Sequence, residues 1–147
     1  MKPLLFINKE IRIFFSDSNM KKEIIKINGI REPQSPFSHV VKAGNFLFLS
    51  SQLSVDLKTD KILGGNITEQ TRQAFENIKF LLKSSGATMD DILKVVVYMR
   101  DIKDFDQMNQ IYRKYFLEDQ EPARVTIQAL SPIKDIDIEI EVIALLP

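Results

Sequence analysis

The chain contains no cysteine, which removes disulfides, thiolate nucleophiles, Cys-ligated zinc and iron–sulfur clusters together. Its single histidine, His39, cannot build a His-rich metal site and reads as a satisfied strand histidine. Net charge is also missing. Twenty Lys and Arg balance twenty Asp and Glu, so no global field draws the protein to nucleic acid or to an anionic membrane. No stretch approaches the ~18 to 20 apolar residues that a membrane helix needs. Near the start, Lys9, Glu10 and Arg12 interrupt what a signal peptide would keep as its apolar core. These absences lead to the expectation of a cytoplasmic protein with no metal site and no membrane span, and they count against a nucleic-acid partner.

What is present suffices for one domain. Of 147 residues, 44% are hydrophobic and ten are Phe, ample for a single packed core. Residues 1–19 (MKPLLFINKEIRIFFSDSN) read unlike the remainder, and Met20-Lys21-Lys22 opens a clean strand pattern. The expectation is an extension without function over 1–19 and a single domain over 20–147.

Glu23 to Ile27 reads as a strand, followed by Arg31-Glu32-Pro33-Gln34-Ser35-Pro36, a loop that its prolines keep irregular. Ser38 to Lys42 and Phe46 to Ser51 flank Ala43-Gly44-Asn45, a hairpin signal, because Gly and Asn tolerate positive φ. Ile67, Thr71, Ala74, Ile78, Leu81 and Leu82 form one helical stripe that Gly86 can close. Leu93 to Met99 is nearly continuous in apolar and β-branched residues, as in a strand covered on both faces. Asp104 with Gln107 resembles a capping box, and Phe105, Met108, Tyr112, Tyr115 and Phe116 mark a second helix that Pro122 ends. Two alternating strands, Ala123 to Leu130 and Ile136 to Leu145, finish an order β-β-β-α-β-α-β-β.

Two strand–helix–strand units imply parallel pairs with right-handed crossovers and both helices on one face of a mixed sheet, an α+β fold. The opposite sheet face would then be bare, apolar and in need of a partner, which predicts an oligomer.

Period two places Arg124, Thr126 and Gln128 on one face of their strand, and Asp137, Glu139 and Glu141 on one face of the last. A guanidinium keeps its proton, so a shielded Arg124 needs a carboxylate or phosphate partner. Glu139 or Glu141 can supply it across strands as a purely structural ion pair, or a ligand can. The pattern leaves both open.

Pro122-Ala123-Arg124 followed by Ile138-Glu139-Ile140-Glu141, with Ser50-Ser51-Gln52, Thr71-Arg72-Gln73-Ala74-Phe75-Glu76-Asn77-Ile78, Asp104-Phe105 and Asn109, resembles the reactive intermediate deaminase family, also called the YjgF/UK114 family. The resemblance runs from about Lys21 to Leu146. It implies a chorismate-mutase-like protomer whose final strand inserts between earlier strands, a homotrimer, and three sites in the clefts between protomers. It further implies hydrolysis of 2-enamino and 2-imino acids to 2-keto acids and ammonia, without a cofactor. In that reading Arg124 grips the substrate carboxylate, while Glu139 and the main chain near Thr126 aim the water. Phe37, Ser50, Asn109 and Thr126 bind substrate; the plainer reading makes Ser50 a hydroxyl bonded to backbone and Asn109 an exposed helix residue. The sequence departs from the family pattern at Phe37, where many members have Tyr, at Thr126, where they often have Cys, and at Val125, where Ser is common. A non-catalytic trimer that binds a metabolite carboxylate is the main alternative. Endoribonuclease activity, attached to relatives, gains little from zero net charge and three tyrosines.

Overall fold

The computed structural model describes residues 21–147, so the extension expected over residues 1–19 lies outside the described residues. Six strands form one mixed sheet: β1 (Lys22–Ile25), β2 (Val40–Ala43), β3 (Phe46–Gln52), β6 (Ile92–Met99), β7 (Ala123–Gln128) and β8 (Ile138–Leu145). The spatial order is β1-β2-β3-β8-β6-β7. Only β6 and β7 pair in parallel. A separate two-stranded ladder, β4 (Val55–Asp56) and β5 (Lys61–Ile62), precedes the first helix. No described helix is long and apolar enough to cross a membrane.

Local chemistry sets these boundaries. The β2–β3 connection turns at Gly44, which takes φ +58°, so that Ala43 pairs with Phe46. Helix α1 (Ile67–Ser84) starts at Asn66, whose side chain accepts from Thr68 and Glu69 main-chain N–H groups while Glu69 accepts in return from Asn66 N. This capping box is worth about 1 kcal/mol. At the other end Gly86 takes φ +88°, and the N–H groups of Gly86 and Ala87 donate back to Lys83 and Leu82, a left-handed helix stop. Helix α2 (Phe105–Tyr112) is shorter than its hydrophobic period predicts. Tyr115 and Phe116 lie beyond it in a turn, yet both rings pack on Phe75, with centroids 4.6 and 5.8 Å away. The expected capping box at Asp104 is absent: Asp104 occupies the cap position without a side-chain hydrogen bond. Asp101 instead accepts from Lys103 N in the preceding turn.

Of the two crossovers, one matches the expectation of a parallel pair and one does not. β6–α2–β7 forms one, but β8 separates β3 from β6 and pairs antiparallel with each. The two flanking strands therefore run parallel without touching. α1 lays Phe75, Ile78, Leu81 and Leu82, all fully buried, against Leu47, Val95, Val97 and Ile140 of the sheet. α2 packs beside α1 and adds Met108 and Tyr112 to the same core. On the other sheet face, Ile24, Phe46, Phe48, Val125, Ile127 and Leu145 stay exposed, Phe48 at 43%. That is the bare apolar face that two helices on one side leave behind.

One polar side chain ties the helix layer to the loop before β8. Gln70, fully buried in α1, accepts from Asp137 N at 2.8 Å and donates to Gly65 O at 2.9 Å and to the Asp137 carboxylate at 3.1 Å. Replacing it by Leu strands the Asp137 N–H in the interior, for which we predict a loss of about 1 to 3 kcal/mol of unfolding free energy by urea titration. A loss below about 0.5 kcal/mol would show that water replaces these bonds without penalty.

Candidate functional site

β7 is an edge strand, and its register pairs Arg124 with Val95 and Thr126 with Val97. Val95 and Val97 point into the core, so Arg124 and Thr126 share the helix-covered face, beneath α2. The Arg124 guanidinium lies 4.4 Å from the centroid of the Tyr112 ring and 5.6 Å from that of Phe105. Its Nη1 donates to Asn109 Oδ1 at 2.7 Å. Asn109 is half-buried, and its amide oxygen aims the fork. Aromatic faces and a neutral amide hold a cation without neutralising it. Among the described residues Arg124 forms no ion pair, which leaves most of its five N–H donors for an incoming carboxylate. Beside it, the buried hydroxyls of Tyr112 and Thr126 have no partner among the described residues. Burial pushes the Tyr112 phenol up to about 12, against the pull of Arg124.

Glu139 lies elsewhere. In β8 it pairs with Tyr98, on the face opposite buried Ile138 and Ile140. Sitting two strands from Arg124 and on the other side of the sheet, it cannot form the cross-strand ion pair that alternation allowed. Its Oε2 accepts from Ser51 Oγ at 2.8 Å. Tyr98 stands alongside, its phenol pushed above the ordinary value first by burial and then by Glu141 and Glu139. A cavity of about 240 Å³ opens here, lined by Ser51, Tyr98, Leu130, Pro132, Glu139 and Glu141. A neighbouring cavity of about 270 Å³ shares Ser51 and is walled by Phe37 and Ile133. Phe37 is 48% exposed and meets the His39 ring edge-on at 5.5 Å.

The protomer thus gathers the candidate residues into two groups. Arg124, Asn109 and Thr126 form one under α2; Glu139 belongs to the other, on the bare side, with Phe37 in the neighbouring cavity that shares Ser51. The Ser50 hydroxyl donates to Ser38 O at 2.7 Å, the backbone bond of the plainer reading. His39 precedes β2 instead of lying in a strand, and it is satisfied at one ring nitrogen only: Nε2 lies 3.4 Å from Arg31 O, while the buried Nδ1 lacks a partner among the described residues. Sequence reasoning passed over Ser51 and Tyr98. Tyr98 hid in the apolar run LKVVVYM, and Ser51 owes its position to a bulge in β3 that carries no sequence signature. Among the described residues no cluster of acidic groups and histidine is placed to hold a metal.

A sequence model of the endoribonuclease L-PSP family matches residues 29–146. A RutC family protein of Pyrococcus horikoshii is 46% identical over 123 residues, covering 84% of this chain and 97% of that protein. A Dermatophagoides farinae protein named 2-iminobutanoate/2-iminopropanoate deaminase is 33% identical, with 85% of this chain and 97% of the relative covered. The crystal structure of E. coli TdcF with bound serine superimposes with a TM-score of 0.75 at 31% identity, over 85% of this chain and 99% of that one. Matched over nearly all of its described length, the chain belongs to the endoribonuclease L-PSP family, the YjgF/UK114 or reactive intermediate deaminase family that its motifs resemble.

Proposed function

We propose that the protein hydrolyses 2-imino and 2-enamino acids to 2-keto acids and ammonia in the cytoplasm, as a homotrimer built from residues 20–147, with residues 1–19 dispensable. One observation carries the reading: a half-buried arginine stacked on Tyr112 and aimed by Asn109, with no carboxylate of its own among the described residues. An α-carboxylate fits that fork bidentately. The deaminase name of the mite relative and the amino acid bound to TdcF support the same class of ligand.

The chemistry needs little beyond placement. A protonated imine is already electrophilic, so fixing its carboxylate at Arg124 holds the C=N carbon at a defined distance from the attacking water. Glu139, reaching the cleft from the next subunit, takes a proton as water adds to that carbon. The resulting carbinolamine passes its proton to nitrogen and expels ammonia, leaving the keto acid. Trimer formation supports this division of labour, because the bare face with Phe46 and Phe48 needs covering and a closed ring makes three equivalent clefts.

A second reading draws on Phe37, which puts an aromatic wall where a phenol would offer a proton. The same cleft then binds a metabolite carboxylate without turning it over. Release of keto acid from freshly generated 2-aminocrotonate separates the two, since only the deaminase accelerates it.

Two expectations follow from the shared cleft. Arg124→Ala should lower kcat/KM at least ~100-fold while the trimer persists, and Arg124→Lys should fail largely too, because an ammonium cannot reproduce the planar fork. Wild-type kinetics in the alanine variant would remove Arg124 from the site. Light scattering should give close to three times the 17.0 kDa protomer mass, and Phe48→Glu, which places a charge on the bare face, should give monomers without deaminase activity. A fully active monomer would refute the shared cleft.

A further inference from the structure

Strand β3 carries one residue too many for its partner. Leu49 pairs with Val142 while Gln52 pairs with Ile140, so three steps along β3 match two along β8, and Ser50 and Ser51 share the extra place as a β-bulge. Phe46 and Phe48 point to the bare face, and unbroken alternation would send Ser50 there next. The bulge resets the phase. Ser50 turns its hydroxyl to Ser38 O at 2.7 Å, Ser51 takes the bare face and donates to Glu139 Oε2 at 2.8 Å, and Gln52 turns inward, only 3% exposed. Gln52 also pins the bulge, its Nε2 donating to Ser50 O at 2.9 Å.

A glutamate has three side-chain torsions, and fixing them costs up to about 2 kcal/mol of rotamer freedom. A hydroxyl-to-carboxylate bond is strong enough to offset much of that and to favour one orientation. Among the described residues nothing else donates to the Glu139 carboxylate, so its Oε1 is left to the cavity and to water. We propose that Ser51 is a positioning residue for Glu139: it holds one carboxylate oxygen so that the other aims the attacking water. This rests on the deaminase reading above. Substrate anchoring belongs to Arg124 on the opposite face, so the loss of Ser51 should appear in kcat and not in KM.

The test is steady-state hydrolysis of freshly generated 2-aminocrotonate by the full-length protein, with Ser51→Ala, Ser51→Thr and Arg124→Ala measured together. Displacing a catalytic group by an ångström or less lowers rates ten- to a hundred-fold. We expect Ser51→Ala to lose about tenfold in kcat with KM within about twofold, and Ser51→Thr, which restores the hydroxyl, to recover most of that loss. Should Ser51→Ala fold poorly, a Thr variant with near-wild-type kcat still supports the role, and one as slow as the alanine variant overturns it. Wild-type kcat in Ser51→Ala beside an inactive Arg124→Ala would overturn the positioning role and leave the deaminase reading standing, as would a loss confined to KM. If the unsubstituted protein releases keto acid no faster than the spontaneous reaction, the deaminase reading fails and takes this role with it.

Discussion

Strand β8 hydrogen-bonds to β3 on one side and to β6 on the other, and that central position governs the rest of the molecule. Its inward residues Ile138, Ile140 and Val142 form the floor on which α1 packs. Its outward residues Glu139 and Glu141 consequently emerge on the bare face. By occupying the place next to β6, β8 also leaves β7 at the edge of the sheet. The parallel register of that edge strand turns Arg124 toward α2. With β6 between their strands and the two side chains on opposite faces of the sheet, Arg124 and Glu139 do not neutralise each other within one protomer.

Separation keeps both groups available. A guanidinium at partial burial must be compensated, and here the compensation is soft: two aromatic faces and one amide oxygen. Each contributes on the order of 1 kcal/mol, enough to hold a cation and too little to satisfy it. A carboxylate entering the fork would therefore gain a charge-assisted bidentate pair without first breaking an internal one. Glu139 is treated likewise, bound through one oxygen by a neutral hydroxyl and open at the other. On the proposed reading each protomer carries half of a site, and the apolar face that drives association is the surface beside which the halves meet. Assembly and activity then share one cause.

Much of this was legible in the sequence because alternation and helical period are local properties. The stripe Ile67–Leu82, the hairpin at Gly44 and the faces carrying Arg124 and Glu139 all follow from side-chain direction alone, and the structure agrees on each. What failed was non-local or too short to have a period. The place of β8 is a pairing across long sequence separations and came only through the family resemblance. β4 and β5 have two residues each, below the length at which alternation exists. The apolar rhythm predicts a longer α2 than forms, because Tyr115 and Phe116 continue that rhythm while packing on Phe75 from a turn. Ser51 stands in the Ser50-Ser51-Gln52 motif, but its place beside Glu139 has no sequence signal, because a single inserted residue reverses which hydroxyl faces that carboxylate.

The claim that a site is completed between protomers has a direct test in subunit mixing. Arg124→Ala and Glu139→Gln proteins, each inactive alone, are combined, dissociated and reassembled, and 2-aminocrotonate hydrolysis is followed. Mixed trimers contain clefts in which an intact Arg124 of one chain faces an intact Glu139 of another, so about a quarter of wild-type activity should return if chains assort at random into closed rings. A mixture that stays as inactive as its components, although mass spectrometry shows mixed trimers, would place both residues in a single protomer's site and contradict the account.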